Sequence, residues 1–258
     1  MNPYLCRVVL RPRDPFEVFD LTLRFLRVHW RPITRLGALL VGLPTVALAP
    51  LLWLTSGSAW WLLFPLALVL PVQAPMSALV GLLLFDEDAT VRQALRMVWS
   101  RAPSLLAGWV ALAVGAAIAA GSCGILSPLL LALLFVMETG MLEAVPVVRM
   151  VRRSQALAGA HLGVAIAGAL AQVLLLLWFA VLFELGGQLV VGWVLQLGVP
   201  FGRAQDGQLT PWLVAGILSS QVLFAAYRLF LYVDVRTRVE GWDLQVALRA
   251  AAMTKERA

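Results

Sequence analysis

An all-α, polytopic membrane helix bundle is the fold class this sequence predicts, and three observations predict it. The first is composition: 61% of the 258 residues are hydrophobic and 13% are charged, with a mean hydropathy of +0.88. A soluble domain carries about twice that charged fraction. The second is segregation. The apolar residues gather in blocks of about 20, the length that crosses a hydrocarbon layer of roughly 30 Å at 1.5 Å per residue. The third is the placement of Lys and Arg, which puts nearly all of them on one side of the folded chain.

Six transmembrane spans are predicted in a single integral membrane domain. They run from Ile33 to Leu54, Trp60 to Phe85, Pro103 to Gly121, Ile125 to Val148, His161 to Phe183 and Trp212 to Val233. Of the twenty Lys and Arg, seven lie between Arg7 and Arg35. Three more follow the second span (Arg92, Arg96, Arg101), three follow the fourth (Arg149, Arg152, Arg153), and six lie from Arg228 to Arg257. Only Arg203 falls on the opposite side. Both termini are therefore expected to be cytoplasmic. No short apolar segment with signal-peptide flanks precedes Ile33, so no cleavable signal is expected.

Each span pair is preceded by an amphipathic stretch. The leader, 1–32, contains DPFEVFDLTLRFLRVHWRP. Asp14 is placed to cap its helix, Pro15 suits the first position, and Glu17 makes a capping-box-like pair with Asp14. Glu17, Asp20, Arg24, Arg27 and Arg31 fall within an arc of about 80° on the helical wheel, so this helix should lie in the membrane interface with one wet stripe. The first hairpin occupies 33–85, and TSGS, Thr55 to Ser58, closes it as a tight turn. Pro44, Pro50, Pro65, Pro71 and Pro75 crowd it. Each removes a backbone donor, so kinked helices beside Gln73 are expected, either lining a substrate cavity or simply packed.

The second unit, 86–148, opens with DATVRQALRMVWSRAP and continues into two spans joined by GSCG, Gly121 to Gly124. Small residues at Ala111, Gly115, Ala116, Ala119 and Ala120 predict close helix contact. The third unit, 149–233, is entered through EAVPVVRMVRRSQALAG. Gly159 and Gly163 form a GxxxG packing pattern, and His161 between them reads as an interfacial anchor. Arg-Met-Val followed by a second basic group and Leu-Ala-Gly recurs in the second and third stretches, which suggests three elbow-plus-hairpin units. Any interfacial helix beside a cytoplasmic loop is also amphipathic and Arg-rich, so both readings stand. The long connection from Glu184 to Pro211 contains QLVVGWVLQLGVPF, too short to span and apolar enough to lie at the interface or re-enter.

The candidate site residues are charges in apolar surroundings. Glu138 in the fourth span and Arg228 in the sixth sit at similar depth and are expected to pair. At the cytoplasmic face, Glu143, Arg149, Arg152, Arg153, Asp234, Arg236, Arg238, Glu240 and Asp243 form a dense cluster. Gly241 is placed to end the sixth helix, and Asp243 to cap a final helix from Leu244 to about Met253 within the tail, 234–258. The alternating charge of Asp234 to Asp243 reads as a clasp holding the tail against Glu143 and Arg149 to Arg153.

Cys6 and Cys123 fall on opposite sides of the membrane in this topology, so no disulfide is expected between them. With His29 and His161 the only histidines, no metal site or cofactor is expected. No nucleophile-base arrangement or phosphate-binding loop is present, so the chain reads as no enzyme. The +6 charge is spread along one membrane face, so anionic lipid of the phospholipid bilayer is the partner it fits, and nucleic acid is not.

Three segments, RPRDPFEVFDLTLRFLRVHWRP, LEAVPVVRMVRRSQALAG and YVDVRTRVEGWDLQ, resemble a group of bacterial six-span membrane proteins. That group is similar to the membrane domain of some glycerophosphodiester phosphodiesterases and its stand-alone relatives. The junction matches through Glu143, Arg152, Arg153, Ser154 and Leu157 but has Gln-Ala where the relatives carry an aromatic and basic pair. The terminal segment matches through Asp234, Arg236, Glu240, Gly241, Asp243 and Leu244. The resemblance implies a bacterial inner membrane location and a six-span fold. The catalytic barrel of the phosphodiesterases has no counterpart, so their hydrolysis does not carry over. The expected function is a membrane anchor or scaffold for a protein partner, with a small transporter or channel as the runner-up and lipid handling in the apolar region near Val190 as a third.

Overall fold

The computed structural model of the chain describes residues 11–55, 58, 63–86, 88–122, 128–143, 147–198 and 200–241. Among them every regular element is helical. Cys6, Cys123, Asp243 and the helix expected from Leu244 to Met253 lie outside the described residues, as do parts of both tight turns.

Helix α1 (Pro15–Val28) buries Val18, Thr22 and Phe25 on one face and exposes Glu17, Asp20, Arg24 and Arg27, the expected wet stripe. Its start differs from expectation. Asp14 holds the N-cap position without a side-chain hydrogen bond, and Glu17 turns instead to Arg11 at 3.3 Å. Helix α1 is capped by His29, and α2 (Trp30–Gly37) and α3 (Leu43–Leu54) run on as one 25-residue helix. Between them Ala38–Gly42 widens into a π-type turn. Pro44 follows directly. Its ring crowds the carbonyl four residues back and it donates nothing, so a locally wider turn is the natural accommodation.

The second predicted span is interrupted. Helices α4 (Leu63–Ala67) and α5 (Val69–Leu83) meet at Leu68 among Pro65, Pro71 and Pro75. Helix α6 (Val91–Ser100) begins with a full capping box, Thr90 Oγ1 accepting from Gln93 N while the Gln93 side chain accepts from Thr90 N. It meets α7 (Ala102–Gly121) at a bend of 74°. The fourth predicted span is also interrupted, into α8 (Pro128–Ala132) and α9 (Val136–Leu142). Helix α10 (Val147–Ala160) turns at His161 into α11 (Leu162–Leu189), which continues helically to Val194. The first half of the segment expected to lie at the interface or re-enter, to Val194, is thus the continuation of the fifth helix. Helix α12 (Pro211–Glu240) ends at Gly241, whose φ of 61° is the left-handed conformation glycine adopts at a helix end.

Among the described residues three helices are long and apolar enough to cross a membrane: Trp30–Leu54, Leu162–Val194 and Pro211–Glu240. The bent pair α6–α7 would be a fourth. Pro211–Glu240 is 78% buried over its apolar window and Leu162–Val194 only 6%, so α12 is the packed helix and α11 turns its apolar surface outward.

Two compact units are interleaved along the sequence. The first takes in described residues up to His29, from Ser77 to Ala169 and from Ala226 onward. Phe25 packs edge-on to Phe230 at 5.2 Å and Phe19 to Tyr227 at 5.5 Å, seating α1 on α12. Ser154 closes the break before α9, accepting from Phe135 N at 3.2 Å and donating to Ala132 O at 2.8 Å. A single hydroxyl thus serves backbone groups that the interrupted helix leaves over.

The second unit spans Trp30–Met76 and Leu170–Ala225. Leu48, Leu52, Val72, Leu209, Val214 and Leu218 form its core. Gly216 permits α12 to approach α11 closely: a Cβ there would meet Phe179 O at 2.5 Å. The GxxxG expectation fails. Neither Gly159 nor Gly163 has a neighbour within 4 Å of where a Cβ would stand, because the helix breaks at His161 and the two never share one ridge.

Candidate functional site

Four residues one helical turn apart on α12, Arg228, Tyr232, Arg236 and Glu240, share one ridge by their spacing. That ridge meets α9 and α10 inside the first unit. At one end Arg228 Nε donates to Glu138 Oε1 at 2.8 Å, with both side chains almost wholly buried. Glu138 stands in the first turn of α9, where the helix dipole favours a negative charge. Its Oε2 accepts no hydrogen bond among the described residues.

Further along the ridge the partners interlock. Tyr232 donates to Glu143 Oε1 at 2.6 Å and accepts from Arg236 Nη1 at 3.1 Å. Arg236 reaches Glu143 at 3.4 Å and Glu240 at 2.7 Å. Arg153 of α10 bonds Glu143 at 3.2 Å and also pairs with Glu240. Glu138, Glu143 and Glu240 therefore face Arg228, Arg153 and Arg236, three acids against three bases. Such an arrangement locks three helices in register and keeps no net charge.

A second pair lies on a neighbouring ridge. Asp234 bonds Arg238 at 2.9 Å. It also accepts from Arg13 N at 2.8 Å, while Arg238 donates to Arg13 O. Together the two side chains clamp both polar groups of one leader peptide residue.

The structure thus brings together Glu138 with Arg228, and Glu143 with Arg153, Arg236 and Glu240. It corrects the expected cluster in two places. Asp234 and Arg238 hold the leader, not Arg149 to Arg153. Arg149 and Arg152 make no ion pair among the described residues. Helical phase explains this: Met150, Ser154 and Leu157 form the buried face of α10, and Arg149 and Arg152 point away from it, exposed. Gln73 is buried and donates to Gln221 Oε1 within the second unit.

One site was not foreseen. Glu184, nine-tenths buried in α11, accepts from Gln188 Nε2 at 3.2 Å, from Ala204 N at 3.1 Å and from the Thr210 hydroxyl. Thr210 Oγ1 in turn caps α12 by accepting from Leu213 N at 3.1 Å. Glu184 and Gln188 border a cleft of about 420 Å³ that Arg203 also lines. The sequence signal was a Glu and a Gln one turn apart in an apolar stretch whose helical pattern does not stop at Phe183.

Comparison with protein-family models, with curated proteins and with solved structures finds no match for this chain.

Proposed function

We propose that the chain is a non-enzymatic integral protein of a bacterial inner membrane and serves there as an anchor or scaffold for a partner. The observation that carries this reading is the charge-balanced ladder on α12. Its acids and bases are engaged with one another across α9, α10 and α12, which suits a rigid frame better than a reaction centre or a conduit. Elsewhere in the chain, Arg27, Arg31, Arg35, Arg92, Arg96, Arg149 and Arg152 are exposed and enter no ion pair among the described residues. On the proposed topology they share the cytoplasmic side, where anionic lipid attracts each by about 1 kcal/mol.

The finer topology belongs to the same proposal: six spans, cytoplasmic termini, and α1, α6 and α10 as interfacial elbows. It is supported by the succession of three short amphipathic helices, each leading into a longer apolar one. On this reading α4–α5 and α8–α9 are spans interrupted by irregular turns, tolerated because protein groups serve the freed backbone.

Crosslinking with mass spectrometry in native membranes tests the scaffold. A protein crosslinked through α10 or the end of α12, and lost on Arg149→Glu with Arg152→Glu, is the expected result. An empty partner list removes the reading. Single-cysteine labelling at Arg92 and Arg203 from either side tests the topology, which requires opposite accessibility.

A further inference from the structure

The cleft beside Glu184 has a charge arrangement that its structural role does not explain. Three donors reach the carboxylate, from Gln188, Ala204 and Thr210, and all three are neutral. They tie the connection from Leu195 to Thr210 back onto α11, and a neutral acceptor could receive them. The negative charge itself has no basic partner among the described residues, although the group is nine-tenths buried. Burying a charge is costly unless something compensates it. A carboxylate offers about four acceptor positions, and three donors leave room for one more.

Two other polar groups of the cleft are also open. Gln188 spends both amide hydrogens, on Glu184 and on Gly202 O at 2.8 Å, and its Oε1 accepts none among the described residues. Arg203 lines the same cleft and is exposed. Its side chain makes neither an ion pair with Glu184 nor a hydrogen bond among the described residues. An acid and a base that border one cleft without closing on each other are complementary to a molecule carrying both charges. Gln205 also lines the cleft, and the remaining side chains are apolar: Leu185 and Leu189 are more than half exposed and Trp193 is 84% exposed. Tryptophan at this position suits the headgroup level of a bilayer. The volume lies within the range of small-ligand sites.

We propose that this cleft binds the headgroup of a zwitterionic aminophospholipid, with its primary ammonium on Glu184 and Gln188 and its phosphate on Arg203. Arg presents the planar donor fork that phosphate oxygens accept. The acyl chains lie along Leu185, Leu189 and Trp193. The uncompensated carboxylate disfavours a lipid whose headgroup is only anionic. The inference rests on the membrane reading above. It adds a ligand on the side opposite the Arg-rich face.

Native mass spectrometry of the full chain in mild detergent tests it, with phosphatidylethanolamine, phosphatidylglycerol and glycerophosphoethanolamine as probes. Phosphatidylethanolamine is expected to be retained about tenfold over phosphatidylglycerol, the scale of one charge-assisted contact. Arg203→Ala removes a side chain that bonds nothing among the described residues, and Gly192→Leu fills the cleft from a position where a Cβ meets only ordinary contact, Gly198 O at 3.6 Å. Each is expected to abolish the preference, and Glu184→Gln to reduce it if that variant folds. Equal retention of the two lipids overturns the proposal, as does an unchanged preference in Arg203→Ala or in Gly192→Leu. Displacement by equimolar glycerophosphoethanolamine would assign the site to a soluble zwitterion and overturn the lipid. Carbonate extraction of the cell membranes before they are solubilised separates a failure of this site from a failure of the membrane reading.

Discussion

Removing one member of the Glu138–Arg228 pair should cost far more than removing both. The two groups bond at 2.8 Å with side-chain exposures of 0% and 4%, so neither can turn to water when its partner is lost. Leaving one such charge uncompensated costs about 3–5 kcal/mol, whereas replacing both members with neutral groups of similar volume is often close to neutral. At roughly 2–4 °C per kcal/mol for a chain of this size, Glu138→Gln or Arg228→Gln should lower the unfolding midpoint by about 6–20 °C. The double variant should recover most of that loss. The assay is tryptophan-fluorescence thermal scanning in one detergent at one scan rate, because an irreversible midpoint depends on the rate. Single variants within about 2 °C of the parent would refute the burial argument. A double variant that loses the sum of both single losses would show that the two residues act independently, against the geometry.

Three further outcomes follow from the packing. Tyr232→Phe removes hydrogen bonds to Glu143 and from Arg236, both to charged groups, and should cost about 1.5–3 kcal/mol in the same scan. Gly216→Ala drives a methyl to 2.5 Å from Phe179 O and should destabilise by about 1–3 kcal/mol, since a backbone carbonyl in a helix cannot step aside. Gly186→Ala, two turns along α11 with nothing within 4 Å, should instead hold or gain up to about 1 kcal/mol. Thr90→Ala breaks the capping box of α6 and should cost about 1 kcal/mol, read as lost protection of the Val91, Arg92 and Gln93 amides in hydrogen exchange.

Composition and apolar block length were enough to read an all-helical chain with helices long enough to cross a membrane, because both report one-dimensional properties. The end of α12 was equally legible, since a glycine after a charged turn is a local stop signal. The breaks were less so. The interruption at Leu68 falls among prolines and carries a local cause. The one at Leu133 to Phe135 does not, because Ser154 closes it from nineteen residues beyond Phe135, and a hydroxyl supplied by another helix leaves no mark in the broken segment. The failed capping box at Asp14 is the converse case. The motif was present, but Arg11 and Asp234 engage Glu17 and the Arg13 amide, and these competing partners redirect the leader.

The buried charges show where such reading stops. Spacing alone places Arg228, Tyr232, Arg236 and Glu240 on one ridge, so a ladder could be read from α12 by itself. Which acids meet it depends on the phase of α9 and α10, and that phase is set by a break and a turn that periodicity cannot locate. One residue of phase separates Arg152, exposed, from Arg153, which joins Glu143 and Glu240. Glu184 was missed for a related reason. Ending the fifth span at Phe183 turned a helical carboxylate into a loop residue, and a charge in a loop asks for no partner. Once the helix is carried to Val194 the same carboxylate is buried beside a cleft, and the lack of a cation beside it among the described residues becomes a question with a chemical answer. An apolar helix that keeps an acid at such a position gains nothing in packing from the charge, and the three neutral donors of Gln188, Ala204 and Thr210 leave one acceptor position of the carboxylate open.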